Sequence, residues 1–393
     1  MPYPIVYLLD RNAASETFIR REIDLLQRRN WPVLIRYVTS GSNVLKFALG
    51  ACPRTGRGRF VRAACRRLLA EGFRSPVTAC RILKRLPQAA SLAALAAETE
   101  CRLIHAQFAG LTAELAALAS QTLGIPWTCA VHARDVFTVS PRLLGRRLRS
   151  AAAVAACSRA AAEAVTAAGY PPQQIAVIHH GLPLNDFAFD SIQPDGVILF
   201  VGRLEAKKGV DTLLHACALL RGRGVPFTCV IAGEGPRRKD LTRLSDRLGL
   251  AENVVFIGWQ SPEETRYHIM DASILVLPSR RLSNGDRDGI ANVLLEAMAL
   301  GTPVLTTTAG AAPEVLTDQV NGLLVPPDDP VALADALAQA LTSKSQLLRL
   351  AQAGRATIEQ HFDGSKTISE IEAFFQRAVT PPSPEPPVPT ISA

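Results

Sequence analysis

The chain has 393 residues, 48% of them hydrophobic and 20% charged, which is ordinary for a soluble globular protein and, at roughly 150 residues per domain, predicts two or three domains. A membrane-spanning helix is excluded, because the alanine-rich stretch from Ala151 to Gly169 is broken by Ser158, Arg159 and Glu163 before it reaches about 18 clean apolar residues. The formal net charge of +8 suits an anionic partner: a phosphorylated ligand, a nucleic acid or a membrane surface.

Met1 to Asp10 has neither a basic leader nor a small-residue cleavage site, and the eight cysteines form no C-x-x-C pair. A cytosolic chain with reduced core thiols and no metal cage is expected. Strands are predicted over Ile5 to Asp10, Pro32 to Val38, Arg102 to Phe108, Trp127 to His132, Ala152 to Cys157 and Ile175 to His179. Phe18, Ile19, Glu22, Ile23, Leu25 and Leu26 follow a helical period after the first of them. Between Ala51 and Ala90 stand ten basic residues, from Arg54 to Arg85, against the single acid Glu71. Read as a helix, Phe60, Val61, Ala64, Cys65, Leu68 and Leu69 oppose Arg59, Arg62 and Arg66. That pattern fits the headgroup region of an anionic membrane, or a solvated helix packed on its own domain.

Residues 182–196 are rich in turn formers and without period, and a second alternation then begins. Its strands are Val197 to Val201, Phe227 to Ala232, Val254 to Gly258, Ile274 to Leu277, Val304 to Thr307 and Leu323 to Val325. Short apolar strands alternating with helices give an α/β fold of two Rossmann-like domains facing each other across a cleft. The expected division is 1–185, a linker over 186–196, a second domain over 197–379 whose last helix packs back on the first, and a disordered Pro-rich tail over 380–393.

Two clusters carry chemistry. Gly202-Arg203 ends one strand, and Lys207 and Lys208 precede the next helix, where the helix dipole already favours an anion; a bound diphosphate answers both, or the long basic side chains simply reach into water. Further on, the glycine-bearing acidic loop Asn284 to Gly289 leads into a helix in which Glu296 is the lone polar residue between Val293 and Leu300. A carboxylate buried that way is costly unless hydrogen-bonded, which points to a polar ligand, or to an arginine or backbone partner. Asn292 lies one turn earlier, and the amides from Gly289 through Ile290 to Val293 form an amino terminus suited to phosphate or sugar oxygens. Gly233-Glu234 after a strand reads as part of a nucleotide pocket or as a plain turn, since the full dinucleotide fingerprint is absent. His132, at the end of an apolar strand, reads on its own as a satisfied core histidine.

Asp288 followed by seven residues and Glu296, together with Val201-Gly-Arg-Leu and Lys208-Gly209, resembles the signature of the family 4 retaining glycosyltransferases of the GT-B fold. Pro303 to Thr308, Gly310-Ala-Ala-Pro-Glu314 and Asn321 to Pro330 resemble the rest of that family's donor domain. Ser15-Glu-Thr-Phe-Ile19 and Val131-His-Ala-Arg-Asp-Val136 resemble its bacterial exopolysaccharide branch, including colanic-acid-type transferases. The resemblance implies that Arg203 and Lys208 bind the donor diphosphate, Glu296 the ribose, and Asp288 the transferred sugar, with His132 facing it. Ser15, His105 and Asp135 are acceptor-side candidates.

It further implies a metal-independent hexosyltransferase with no cofactor, taking a nucleotide-sugar such as a UDP- or GDP-hexose and a saccharide or lipid-linked glycan acceptor. The expected location is cytoplasmic, peripheral on the inner face of the plasma membrane, and no nucleic acid partner is expected. Asp288 stands where the family often has Glu, Ala291 where it often has Pro, and Gly310-Ala311 where it often has Gly-Gly. The competing readings are a non-catalytic subunit of the same fold and a dinucleotide-dependent oxidoreductase.

Overall fold

The computed structural model describes residues 2–10, 17–38, 62, 76–189 and 195–380. Two six-stranded sheets carry the fold. The first holds β1 (Ile5–Asp10), β2 (Val33–Val38), β3 (Leu103–Gln107), β4 (Trp127–Val131), β5 (Ala153–Ala156) and β6 (Ile175–Val177), in the order β2-β1-β3-β4-β5-β6. The second holds β7 (Val197–Val201), β8 (Thr228–Ala232), β9 (Val254–Gly258), β10 (Ile274–Leu277), β11 (Val304–Thr307) and β12 (Leu323–Val325), in the order β12-β11-β10-β7-β8-β9. Every strand pair is parallel. Parallel pairing follows from the helical crossovers between consecutive strands, and it leaves the strands covered on both faces, as the wholly buried β3, β4, β10 and β11 are.

The twelve strands expected from the apolar runs all form, with ends trimmed by one or two residues where the run met a turn. The strand order reverses between β1 and β3 in the first sheet and between β7 and β10 in the second. At such points neighbouring loops leave in opposite directions and open a crevice at the carboxyl ends. Arg203 follows β7 and Asp288 follows β10, so the chain segments that carry both start from the second switch point.

The helix Gly364–Val379 at the end of the second half packs against the first sheet. Its Ile368, Ile371, Phe374 and Phe375 join Tyr3, Ile5, Tyr7 and Trp31 in one buried cluster, each such side chain contributing about 1.5–3 kcal/mol of burial. Tyr3 donates to the Phe375 carbonyl at 2.7 Å and the Trp31 indole to Glu372 at 2.9 Å, which fixes the rotation of that helix. The helix Thr17–Arg28 buries Phe18, Ile19, Ile23 and Leu26, the face its period dictates. Most of the basic segment from Arg54 to Arg85, Ser15, and the tail after residue 380 lie outside the described residues.

Candidate active site

On the donor side, the loop after β10 is the organising element. Ser279 and Lys208 both donate to Oδ2 of Asp288, at 2.8 Å and 2.7 Å, while Lys207 sits 3.0 Å from Asp286 and 3.9 Å from Asp288. Burial alone would raise the Asp288 carboxyl, but the Lys208 charge and these hydrogen bonds outweigh it and hold the group below its ordinary range. Asp288 is thus an ionised carboxylate next to two cations. Both lysines reach it because Gly209 turns the chain with φ of +65°, where a Cβ would overlap the Pro278 carbonyl. Arg280 braces the same loop through Asp211, at 2.7 and 3.2 Å, and through Asp328 at 2.8 Å.

Arg203 does not join this group: its side chain is 74% exposed and pairs with Glu205 at 2.7 Å. Gly233 and Glu234 border the same strand ends, and the Glu234 carbonyl accepts from the Leu204 amide at 2.9 Å. The Glu234 carboxylate points outward to Arg238 at 3.5 Å. Gly289 lies against Ala133, and Ile290 and Val293 pack on the core of the second domain.

Glu296 is buried to 12% exposure, as its apolar helix requires, and its partner is Arg21 of the opposite domain at 2.8 Å. The arginine alternative therefore holds in this state, with Oε1 accepting from Arg21. Asn292 likewise reaches across, its Oδ1 accepting from Nδ1 of His180 at 3.2 Å. Glu314 accepts from the amides of Arg159 and Ala160 at 2.6 and 2.9 Å, at the start of the helix Arg159–Ala167. Arg287 lies over the Phe137 ring at 3.7 Å. These polar and cation–π contacts tie the two domains together around the acid loop.

On the facing side, His132 follows β4, Cys157 follows β5 and His180 lies three residues beyond β6, so three adjacent strand ends bring them together. His132 is 8% exposed, between the Phe18 and Phe108 rings. Its Nε2–H donates to Gln107 Oε1 at 2.9 Å, and burial keeps the imidazole neutral, well below its usual titration range. The Gln107 amide donates to Glu22 at 3.1 Å, and Tyr7 donates to the same carboxylate oxygen at 2.9 Å. Burial raises Glu22 to about 7 against those hydrogen bonds. A cavity of about 20 Å³ lies among Glu22, His105, His132, Cys157, His179 and His180.

Two acceptor-side expectations need correction. His105 is 2% exposed on β3, its Nδ1 within 2.8 Å of Thr128 and its ring against Tyr7 and Phe375. Burial lowers it to about 3, and it belongs to the core because alternate residues of a central strand face the covering helix. Asp135 is 9% exposed and accepts from the His132 amide at 3.1 Å, so it caps the short helix Ala133–Phe137 rather than meeting an acceptor. The cysteine expectation also changes: Cys157 gathers with two histidines, a set whose members lie too far apart in sequence to read as a motif. Sequence reasoning missed Arg21, Gln107, Ser279 and His180; Ser279 and His180 carried the one available signal, a polar residue just beyond a strand.

A separate hollow of about 800 Å³, bordered by Arg142, Arg146, Arg149 and Tyr170, lies beside the loops that enter β5 and β6. It is therefore at the opposite end of the sheet from the candidate site.

Comparison with known proteins matches residues 16–186 to the model of Glycosyltransferase Family 4 and residues 185–357 to that of Glycosyl transferases group 1. The chain is 31% identical over 212 residues to the putative colanic acid biosynthesis glycosyltransferase WcaL of Escherichia coli, covering 53% of this chain and 52% of that protein. It is 31% identical over 215 residues to the amylovoran biosynthesis glycosyltransferase AmsK of Erwinia amylovora, covering 54% and 53%. The chain thus spans about half the length of the curated relatives it matches. Among solved structures, Anabaena HepE in complex with UDP and glucose superposes with a TM-score of 0.71 at 20% identity, covering 95% of this chain and 99% of that one. Sucrose-phosphate synthase from Thermosynechococcus elongatus gives 0.72 at 20% identity, covering 95% and 98%. The shared fold is GT-B.

Proposed function

We propose, from the premise that this chain belongs to the family 4 glycosyltransferases and carries a group 1 transferase domain after the family 4 one, that it moves a hexose from a nucleotide-sugar to a saccharide or lipid-linked glycan acceptor. The single observation that carries the reading is the ionised Asp288 held by Lys208 and Ser279 at the switch point of the second sheet, on a loop whose Gly289 lies against Ala133 of the facing domain. A UDP- or GDP-hexose supplies what that arrangement lacks: a diphosphate for the cations and sugar hydroxyls for the carboxylate.

In this reading Lys208 turns part of its contact from Asp288 to the diphosphate, and the exposed Arg203 folds in beside it. Negative charge gathers on the leaving nucleotide as the glycosidic bond breaks, and fixed cations aimed there lower the barrier. Asp288 orients the transferred sugar through charge-assisted hydrogen bonds. Glu296 takes the ribose hydroxyls, since a carboxylate with Oε1 on Arg21 can still accept at its second oxygen. The anomeric configuration is retained, and side chains rather than a metal neutralise the diphosphate. The relatives named for colanic acid and amylovoran synthesis favour exopolysaccharide assembly as the setting.

Among the described residues no helix is long and apolar enough to cross a membrane. The basic segment from Arg54 to Arg85 would hold the chain at the cytoplasmic face, where an anionic surface attracts it. The decisive experiment incubates the protein with a panel of nucleotide-sugars and glycan acceptors, with mass detection of product and proton NMR of the new linkage. An α-donor should yield an α-linkage with chelator present. A β-linkage overturns retention, chelator-abolished transfer overturns metal independence, and tight dinucleotide binding with no transfer from any donor favours the oxidoreductase alternative.

A further inference from the structure

We propose that His132, Cys157 and His180 form a three-ligand site for a borderline-soft divalent transition-metal ion of the zinc class. One ligand atom from each, a ring nitrogen of either histidine and the Cys157 Sγ, lie within 4.8 Å of one another. Around a tetrahedral zinc ion with bonds of about 2.0 to 2.3 Å, neighbouring ligand atoms stand about 3.3 to 3.6 Å apart, so side-chain torsions must draw the set together by about 1 Å.

The hydrogen bonds already fix which nitrogens are free. Nδ1–H of His180 donates to the Asn292 oxygen, leaving the lone pair on Nε2; Nε2–H of His132 donates to the Gln107 oxygen, leaving the lone pair on Nδ1. Those two nitrogens, His180 Nε2 and His132 Nδ1, are buried with no hydrogen-bond partner among the described residues. Two orphaned acceptors beside one thiol are costly unless something fills the gap, and the same outer partners are those that orient metal-ligating imidazoles. Phe18 stacks on His180 at 4.0 Å, parallel to within 9°, and holds that ring in place.

The adjoining cavity of about 20 Å³ admits a single water-sized guest, enough for an ion's open fourth position and too small for an organic ligand. Thiolate with two imidazoles selects zinc, cobalt or copper over magnesium or calcium, which prefer all-oxygen cages. On binding, the Cys157 sulfur bonds to the metal, the S–H bond breaks and its proton leaves to solvent. The site makes no demand on the transfer chemistry. An ion there occupies the free nitrogen of His132 and does not touch the diphosphate cations, so chelation should leave transfer intact or raise it.

The test uses the 393-residue chain, reduced and stripped with chelator, and titrated with cobalt(II). One ion per chain should bind with a thiolate-to-cobalt charge-transfer band in the near ultraviolet, and zinc(II) should displace it. Cys157→Ser should abolish the band, and Gln107→Ala, which removes an outer partner, should weaken binding about 10 to 100-fold. X-ray absorption of zinc-loaded wild type is the check that needs no variant: two nitrogens and one sulfur in the inner shell support the site. A sulfur-free shell, no cobalt band, or a band that survives Cys157→Ser would overturn it, the last by placing the ion elsewhere.

Discussion

Removing the Lys208 ammonium deprives Asp288 of its strongest partner and, on the proposed reading, the donor diphosphate of a fixed cation at once. Lys208→Ala should therefore lower kcat by roughly 10²-fold or more, and Arg203→Ala should act in the same direction, both with the fold intact by circular dichroism. Wild-type turnover in both variants would remove the diphosphate role. Asp288 answers to charge before size. Asp288→Asn keeps the volume but gives up charge-assisted hydrogen bonds, about twice as strong as neutral ones, and breaks the pair with Lys208. Asp288→Glu keeps the charge and shifts it by about 1 Å, a displacement that can cost on the order of 10²-fold where positioning matters. The Glu variant should retain more activity than the Asn variant, measured as kcat at saturating donor; the reverse order would take the sugar-orienting role from this carboxylate.

Loops and helices set how well those groups are held. Gly310 stands at φ of +72°, and a Cβ there would overlap the Asp288 carbonyl oxygen, so Gly310→Ala strains the turn and pushes the acid loop at once. Turnover should fall with the residues in direct contact with donor unchanged, and an unaffected kcat would show that the loop absorbs the shift. The helix Thr17–Arg28 carries Glu22 into the first domain, where burial raises its carboxyl to about 7 from an ordinary 4.5. A raised acid binds more protons folded than unfolded between those values, so its stabilising contribution is complete below about pH 4.5 and lost as pH rises through about 7. Glu22→Gln should remove that loss: the wild type should lose stability relative to the variant over pH 4.5 to 7 in denaturant titrations. Parallel pH profiles would mean that the buried acid is not coupled to folding in this window.

Across the whole molecule, the cross-domain contacts Arg21–Glu296, His180–Asn292 and Glu314 with the amides of Arg159 and Ala160 hold the two halves face to face. Each half brings a different chemistry to the cleft: two lysines and an ionised acid from the second sheet, neutral imidazoles from the first. The basic stretch from Arg54 to Arg85 is proposed to meet an anionic membrane surface, a reading that vesicle binding tests. Binding to anionic vesicles should be strong at low salt and weaken at high salt, because exposed charges are screened beyond about 8 to 10 Å at moderate ionic strength. Flotation indifferent to both salt and lipid charge would reduce this segment to a solvated helix.

The strands and their parallel pairing were legible in the sequence because apolar period and turn residues are local, and a few neighbours suffice to specify them. The donor-side candidates could be named for the same reason, since Arg203, Lys208, Asp288 and Glu296 each sit within a strand, turn or helix whose signal surrounds them, although only Lys208 and Asp288 of the four pair with each other. What the tertiary structure alone decided is partnership. Arg21 with Glu296 and His180 with Asn292 are joined over 275 and 112 residues of chain, and nothing local marks either pair. The gathering of His132, Cys157 and His180 follows from β4, β5 and β6 lying side by side, so that their carboxyl ends share one edge. Burial then took His105 and Asp135 out of the acceptor role and made them core and cap, because the cost of desolvating a polar group depends on what packs over it, a property of the assembled layers.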